Sequence, residues 1–188
     1  MRSQLLVTAV GEDRPGIVAR LSEVFVKHGA NVEESRMSIL GGEFAAIILT
    51  SLPAENLANL KSALEQLESE TIHVTTKDTR ALHPDRFQDH EVLNLTVNGA
   101  DHEGIVHKVS HYLSQCAVNI HSMETGITPA PETGSPLFTM AAVIFKPASI
   151  SVSQLQANLK HIADQENVDI CVTKANQDEL KVLAKVFG

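Results

Sequence analysis

The chain has 188 residues, 43% apolar but only 4% aromatic, with no tryptophan and one tyrosine, so aliphatic side chains must build its cores. Its 23 acidic and 15 basic residues leave a net charge of −8. That charge argues against a binder of phosphate backbones, which needs Lys and Arg to displace counterions, and against an anionic membrane surface.

A β-rich apolar run over residues 5–10 predicts a strand that turns at Gly11. Residues 15–28 then place Ile17, Leu21, Val24, Phe25 and His28 on one stripe at helical spacing, with Pro15 suited to the first helical turn. "NVEESRMSIL" and "FAAIILTSL" flank Gly41 and Gly42, a hairpin signal. Leu57, Leu60, Leu64 and Leu67 mark a second helix, and "TIHVTTK" closes the unit as a strand. The order βαββαβ is the split βαβ, or ferredoxin-like, arrangement.

The polar stretch "DTRALHPDRFQD" has no clear period and reads as a linker. The pattern then returns: a strand over 91–98, a helix over 103–116, strands over 118–128 and 136–146, a helix over 151–166 and a strand over 167–174. In the tail, Asn176 and Glu179 have capping-box spacing, and Leu180, Leu183, Ala184 and Phe187 form a stripe. This predicts a C-terminal helix that covers a sheet of its own chain or meets a partner. The expected organisation is a first domain at 1–77, a linker at 78–90, a second domain at 91–174 and a C-terminal helix at 175–188. The fold class is α+β: two such domains in tandem, each an antiparallel sheet with helices on one face.

The repetition is visible residue by residue. "GEDRPGIV" at 11–18 returns as "GADHEGIV" at 99–106, an offset of 88 that also matches Leu5 to Leu93, Thr8 to Thr96 and Asn31 to Asn119. "FAAIILTSLP" matches "FTMAAVIFKP" at an offset of 94, with the extra residues falling in the loop-like "GITPAPETGSP".

The turn ahead of the first helix has a chemistry suited to an amino acid. Free N–H groups at a helix start, with the helix dipole, favour a carboxylate. Arg14 adds a donor, and Gly16 leaves room for close approach. Asp13, or Asn31 after the helix, can receive an ammonium. An ordinary strand-to-helix turn is built from the same residue types. In the second copy Arg14 and Pro15 become His102 and Glu103, so the donor is lost and a carboxylate stands at the helix start. The two turns are therefore expected to be unequal. The second is a structural copy, or it binds through Asp101, Gly104, Ile105 and Asn119.

With two βαββαβ units, each with a Gly/Asp turn before its first helix and an Asn after it, the chain resembles tandem ACT domains. "DRPGIVARLSEVFVKHGANVEESRM" is similar to the family's first-loop and first-helix signature. The resemblance implies a non-enzymatic regulatory module that binds a small amino acid, with glycine the candidate, at interfaces between domains. The candidate site is Gly11, Asp13, Arg14, Pro15, Gly16, Ile17 and Asn31, as half of a pocket completed by a neighbouring ACT domain. For a stand-alone tandem pair it further implies a homo-oligomer that represses transcription by contacting a DNA-bound activator protein, without touching nucleic acid itself. An allosteric subunit of an amino-acid metabolic enzyme is the alternative.

The remaining signals are weaker. His107 and His111 are four apart on a predicted helix, but they lie opposite its apolar stripe and lack a well-spaced third ligand, so no metal or cofactor is expected. No nucleophile elbow, P-loop or dinucleotide fingerprint occurs. No apolar run is of membrane-spanning length, and the opening residues break at Gly11 and Glu12 without a small-residue cleavage site. Cys116 and Cys171 stand in no CxxC pattern, which suits reduced thiols in the cytoplasm.

Overall fold

The computed structural model describes residues 1–67, 72–80, 89–131 and 133–176. The chain divides into two compact units, Met1–Leu82 and His83–Gly188. Most of the expected linker, and nearly all of the expected C-terminal helix, lie outside the described residues.

In the first unit, β1 (Arg2–Glu12) buries every second residue, Leu5, Val7 and Ala9, as a half-covered strand should. It extends beyond the expected 5–10 because its backbone pairs with β3 (Glu43–Pro53) from Arg2↔Pro53 to Glu12↔Glu43, whatever the side chains. Helix α1 (Ile17–Lys27) buries Leu21 and Phe25, one helical repeat apart, with Ile17 and Val24 beside them. It ends at His28, and Gly29 turns the chain out at φ +66°. Strand β2 (Asn31–Leu40) meets β3 through Gly41 and Gly42, both at positive φ, as a tight hairpin demands. A short 3₁₀ turn, Ala54–Asn56, leads into α2 (Leu57–Glu65), which buries Leu60 and Leu64, and β4 (Ile72–Thr79) follows.

The sheet order is β2-β3-β1-β4, with every pairing antiparallel. Leu5, Val7, Ala9, Phe44, Ala46 and Ile48 form a core with Leu21, Phe25, Leu60 and Leu64, so both helices cover one face. Full burial of each such leucine is worth about 1.5–3 kcal/mol. The opposite face carries Val10 and Ile47 exposed.

The second unit repeats this plan. β5 (His90–Ala100) and α3 (Ile105–Gln115) stand 88 positions after β1 and α1 at both ends. β6 (Asn119–Pro129), β7 (Pro136–Pro147), α4 (Val152–Glu166) and β8 (Val168–Lys174) complete the order β6-β7-β5-β8. The same bulge recurs, between Val32 and Glu34 in β2 and between Ile120 and Ser122 in β6. The main departure is α4, with 15 residues against 9 in α2. Its start is capped by the Ser151 hydroxyl, which accepts from the Gln154 N–H at 3.1 Å.

Two local expectations are corrected. Gly11 is not the turn after the first strand. It lies within β1, paired with both Phe44 and Ile72, and does not have positive φ. Its counterpart Gly99 shows what the position requires. A Cβ there would stand 2.6 Å from Val168 Cγ1 and 2.9 Å from Val168 Cα, so β8 leaves no room for a side chain. Pro15 is likewise not in the first helical turn, and neither is Glu103 in its copy. Gly16 and Gly104, at φ +97° and +99°, cannot be helical, so the helices begin one residue later.

Candidate ligand-binding site

The two turns have nearly the same backbone. Gly16 (φ 97°, ψ −6°) and Gly104 (φ 99°, ψ −11°) are both N-caps without a side-chain cap. Their carbonyls accept the first helical bonds, from Arg20 N–H at 2.9 Å and Lys108 N–H at 3.0 Å. The N–H groups of the first helical turn have no intrahelical partner and point toward the loop. A Cβ on either glycine would meet nothing within 4 Å, so both sit against open space. The Asp13 N–H bonds the Gly42 carbonyl at 3.0 Å, and the Asp101 N–H bonds the Pro136 carbonyl at 3.1 Å, which ties each turn to its hairpin.

The side chains differ. Around the first turn Asp13, Arg14 and Pro15 are exposed, and Arg14 pairs with Glu12, which is also more than half exposed. Such a pair is worth little and exchanges readily with a ligand carboxylate. In the second turn His102 Nε2 lies 2.8 Å from the Glu166 carbonyl and Nδ1 lies 3.1 Å from the Glu103 carbonyl. Both partners are acceptors, so the ring makes both bonds only as the imidazolium. The Glu166 carbonyl, then the Glu103 carbonyl, therefore raise the His102 pKa above its usual value. The buried Glu166 carboxylate pairs in turn with Lys108. The second turn is thus braced to the end of α4, while the first carries an exposed ion pair.

Asn31 is not beside the first turn. It opens β2 and pairs with Ser51, which faces Gln4 near the start of β1, whereas Gly11 pairs with Phe44 near the end. From Gln4 to Gly11 the strand advances about 23 Å at 3.3 Å per residue. The reason is topological: α1 runs back along the sheet, so its two ends lie at opposite edges of the unit. Asn119 stands at the equivalent place in the second unit, pairing with Phe145. Ile17 is half-buried and Ile105 buried, each packed on its core. His107 and His111 are exposed, their rings stacked with centroids 5.6 Å apart. Among the described residues no three His, Cys, Asp or Glu side chains gather as a metal site, and no helix is long and apolar enough to cross a membrane. Cys116 and Cys171 are free thiols.

A polar cluster that sequence reasoning missed surrounds Asn31. Its Nδ2 donates to Glu33 Oε1 at 3.2 Å, and the Ser51 hydroxyl donates to the same oxygen. Arg2 Nη2 donates to the Ser51 carbonyl and hydroxyl oxygens, each at 2.8 Å. Arg2, Glu33 and Ser51 border a hollow of about 630 Å³ that Leu57, Asp78 and Arg80 also line. Aligning the two copies at Ser51 and Phe145 would have flagged the place.

Each unit has the ferredoxin-like arrangement that ACT domains share, and residues 3–76 match the ACT domain model. The chain belongs to the ACT-domain family. It is 24% identical over 177 residues to the glycine cleavage system transcriptional repressor of Escherichia coli (strain K12), covering 93% of this chain and 92% of that one. A UPF0237 protein of Methanopyrus kandleri is 33% identical over 87 residues, 43% of this chain and 97% of its own length. Among solved structures, an unknown protein from Galdieria sulphuraria is 32% identical with a TM-score of 0.78, covering 94% of this chain and 100% of that chain.

Proposed function

We propose that the chain is a non-enzymatic, amino-acid-responsive regulator that represses expression of glycine cleavage genes by contacting a DNA-bound activator protein. The observation that carries this reading is the end-to-end similarity to the E. coli repressor, which spans both units and not one ACT domain alone. The net charge of −8 fits a protein that works through another protein instead of gripping duplex DNA. The setting is the cytoplasm, where such a partner would be met.

The proposed ligand is a small amino acid, glycine first, held at the α1 turn by residues 13–17. Free helix N–H groups, the open approach at Gly16 and the exchangeable Arg14 support this place. The turn at 99–105 is the weaker candidate because it lacks the Arg14 donor, carries Glu103 beside the helix start, and has His102 engaged by the Glu166 carbonyl. Asn31 and Asn119 take part only in a homo-oligomer that sets the strand-start end of one copy against the turn of another. Val10 and Ile47, exposed on the helix-free sheet face, support self-association.

A pull-down from native extract, run with and without glycine, tests the reading. Recovery of a DNA-binding protein whose yield changes with glycine is the expected result. Recovery of a metabolic enzyme would instead make the chain an allosteric subunit. In gel shifts the purified chain alone should bind duplex DNA no more tightly than the non-specific range of about 10⁻⁴–10⁻⁶ M.

A further inference from the structure

The hollow at the start of β1 lies at the opposite end of the sheet from the α1 turn, and the other repeat shows that the fold does not require it. Ser51 pairs with Asn31 in the first unit, and Phe145 pairs with Asn119 at the same register in the second. Glu33 sits in the β2 bulge, and His121 sits in the β6 bulge. Where the Ser51 hydroxyl reaches Glu33, the buried Phe145 ring stacks on His121 at 5.0 Å with planes 13° apart. Arg2 is replaced by His90 and Gln4 by Val92. One backbone therefore carries an aromatic plug in one copy and an open, charged hollow in the other.

The hollow holds both signs of charge. Glu33 uses one carboxylate oxygen for Ser51 and Asn31, leaving Oε2 for a cation. Its carboxyl is held below the usual range, first by the Ser51 hydroxyl and then by the Asn31 amide, so it is ionised at neutral pH. Arg2 spends Nε and Nη2 on Ser51, and among the described residues its Nη1 bonds nothing. Arg80 lines the same space, as does Asp78, which is held by Lys61 at 2.7 Å. A carboxylate can accept from the remaining Arg2 Nη1, and an ammonium suits Glu33 Oε2. The volume of about 630 Å³ exceeds what glycine fills and lies in the range of small-molecule sites. Leu57 is the one large apolar residue in a lining otherwise of polar and charged side chains.

We propose that this hollow is a second ligand site, specific to the first unit, for an α-amino acid with a long polar side chain. It takes its carboxylate on Arg2 and its ammonium on Glu33. The inference stands without the α1 turn, because the two places lie at opposite ends of the sheet and share no residue.

The test is an amide NMR titration of the full-length ¹⁵N-labelled chain with L-lysine, L-glutamine and L-glutamate. At least one should shift the amides of Gln4, Glu33, Ser51 and Thr79 in a saturable way. Ser51→Phe, which installs the plug of the second unit, should abolish the shifts. Glu33→Gln keeps the shape and should weaken binding by at least about tenfold, as loss of a hydrogen bond to a charged group does. Gly16→Val, which strikes only the α1 turn, should leave these shifts in place. The spectrum itself reports whether each variant is folded. No saturable shift at these amides up to about 10 mM, tenfold above a weak millimolar site, overturns the proposal. So does unchanged binding in Glu33→Gln, or in a folded Ser51→Phe.

Discussion

The turns before α1 and α3 share a backbone to within a few degrees at Gly16 and Gly104, yet their side chains are put to different use. In the first, Arg14 and Glu12 pair in solvent and leave the helix start uncovered. In the second, His102, Glu166 and Lys108 tie the turn to the end of α4. The start of the sheet shows the same divergence, with Ser51 beside an open hollow and Phe145 stacked on His121. In both places the first unit keeps exposed, exchangeable polar groups; the second engages the side chain of its turn with α4 and fills the space equivalent to the hollow with Phe145. A duplicated fold can thus retain its core while one copy specialises toward scaffolding.

Changes at tightly packed or buried positions of the second unit should have the largest effects. Gly99→Val drives a side chain into the β8 backbone and should destabilise the second unit by about 3 kcal/mol, the upper part of the usual overpacking range, read by urea unfolding. Lys108→Met removes the ammonium from the buried Glu166 carboxylate and should cost about 2 kcal/mol. It should also speed amide exchange at residues 101–104, with no effect at 13–16. Gly16→Ala and Gly104→Ala should each cost about 1–2 kcal/mol, and equally, because only the left-handed backbone opposes a Cβ that meets nothing. A marked inequality would mean that the turns differ in backbone as well as in side chains.

The smallest expected effect separates the turns by pH. The His102 pKa is raised in the folded state, so its contribution is complete below the unfolded value of about 6.5 and fades as pH rises through the higher folded value. The protection of amides 101–104, taken relative to the intrinsic rise of exchange with pH, should therefore fall on the alkaline side of that range. The first turn has no histidine and should show no such step. An NMR titration of the His102 ring measures the shift directly.

Much of the fold could be read in the chain because the repeat supplied each element twice. Leu5 with Leu93, and Phe44 with Phe138, place strands on the buried face in both units. Turn geometry was less legible. The letters of "GEDRPG" do not say which glycine takes positive φ, and that sign moved the helix start from Pro15 to Ile17. Asn31 looked near the turn because only a short helix separates them in sequence, but that helix spans the unit lengthwise. The hollow could not be read from composition, since it arises where Arg2, Glu33 and Ser51 are brought together by strand register.

The central proposal is that the first turn is the main amino-acid site and the second the weaker one. Calorimetric titration of glycine into the wild type, Gly16→Val and Gly104→Val tests it most directly. The two substitutions impose the same backbone strain, so the difference between them isolates binding. Heat that disappears in Gly16→Val and persists in Gly104→Val is the expected result. Wild-type heat that survives Gly16→Val, or that disappears in Gly104→Val, would contradict the claim.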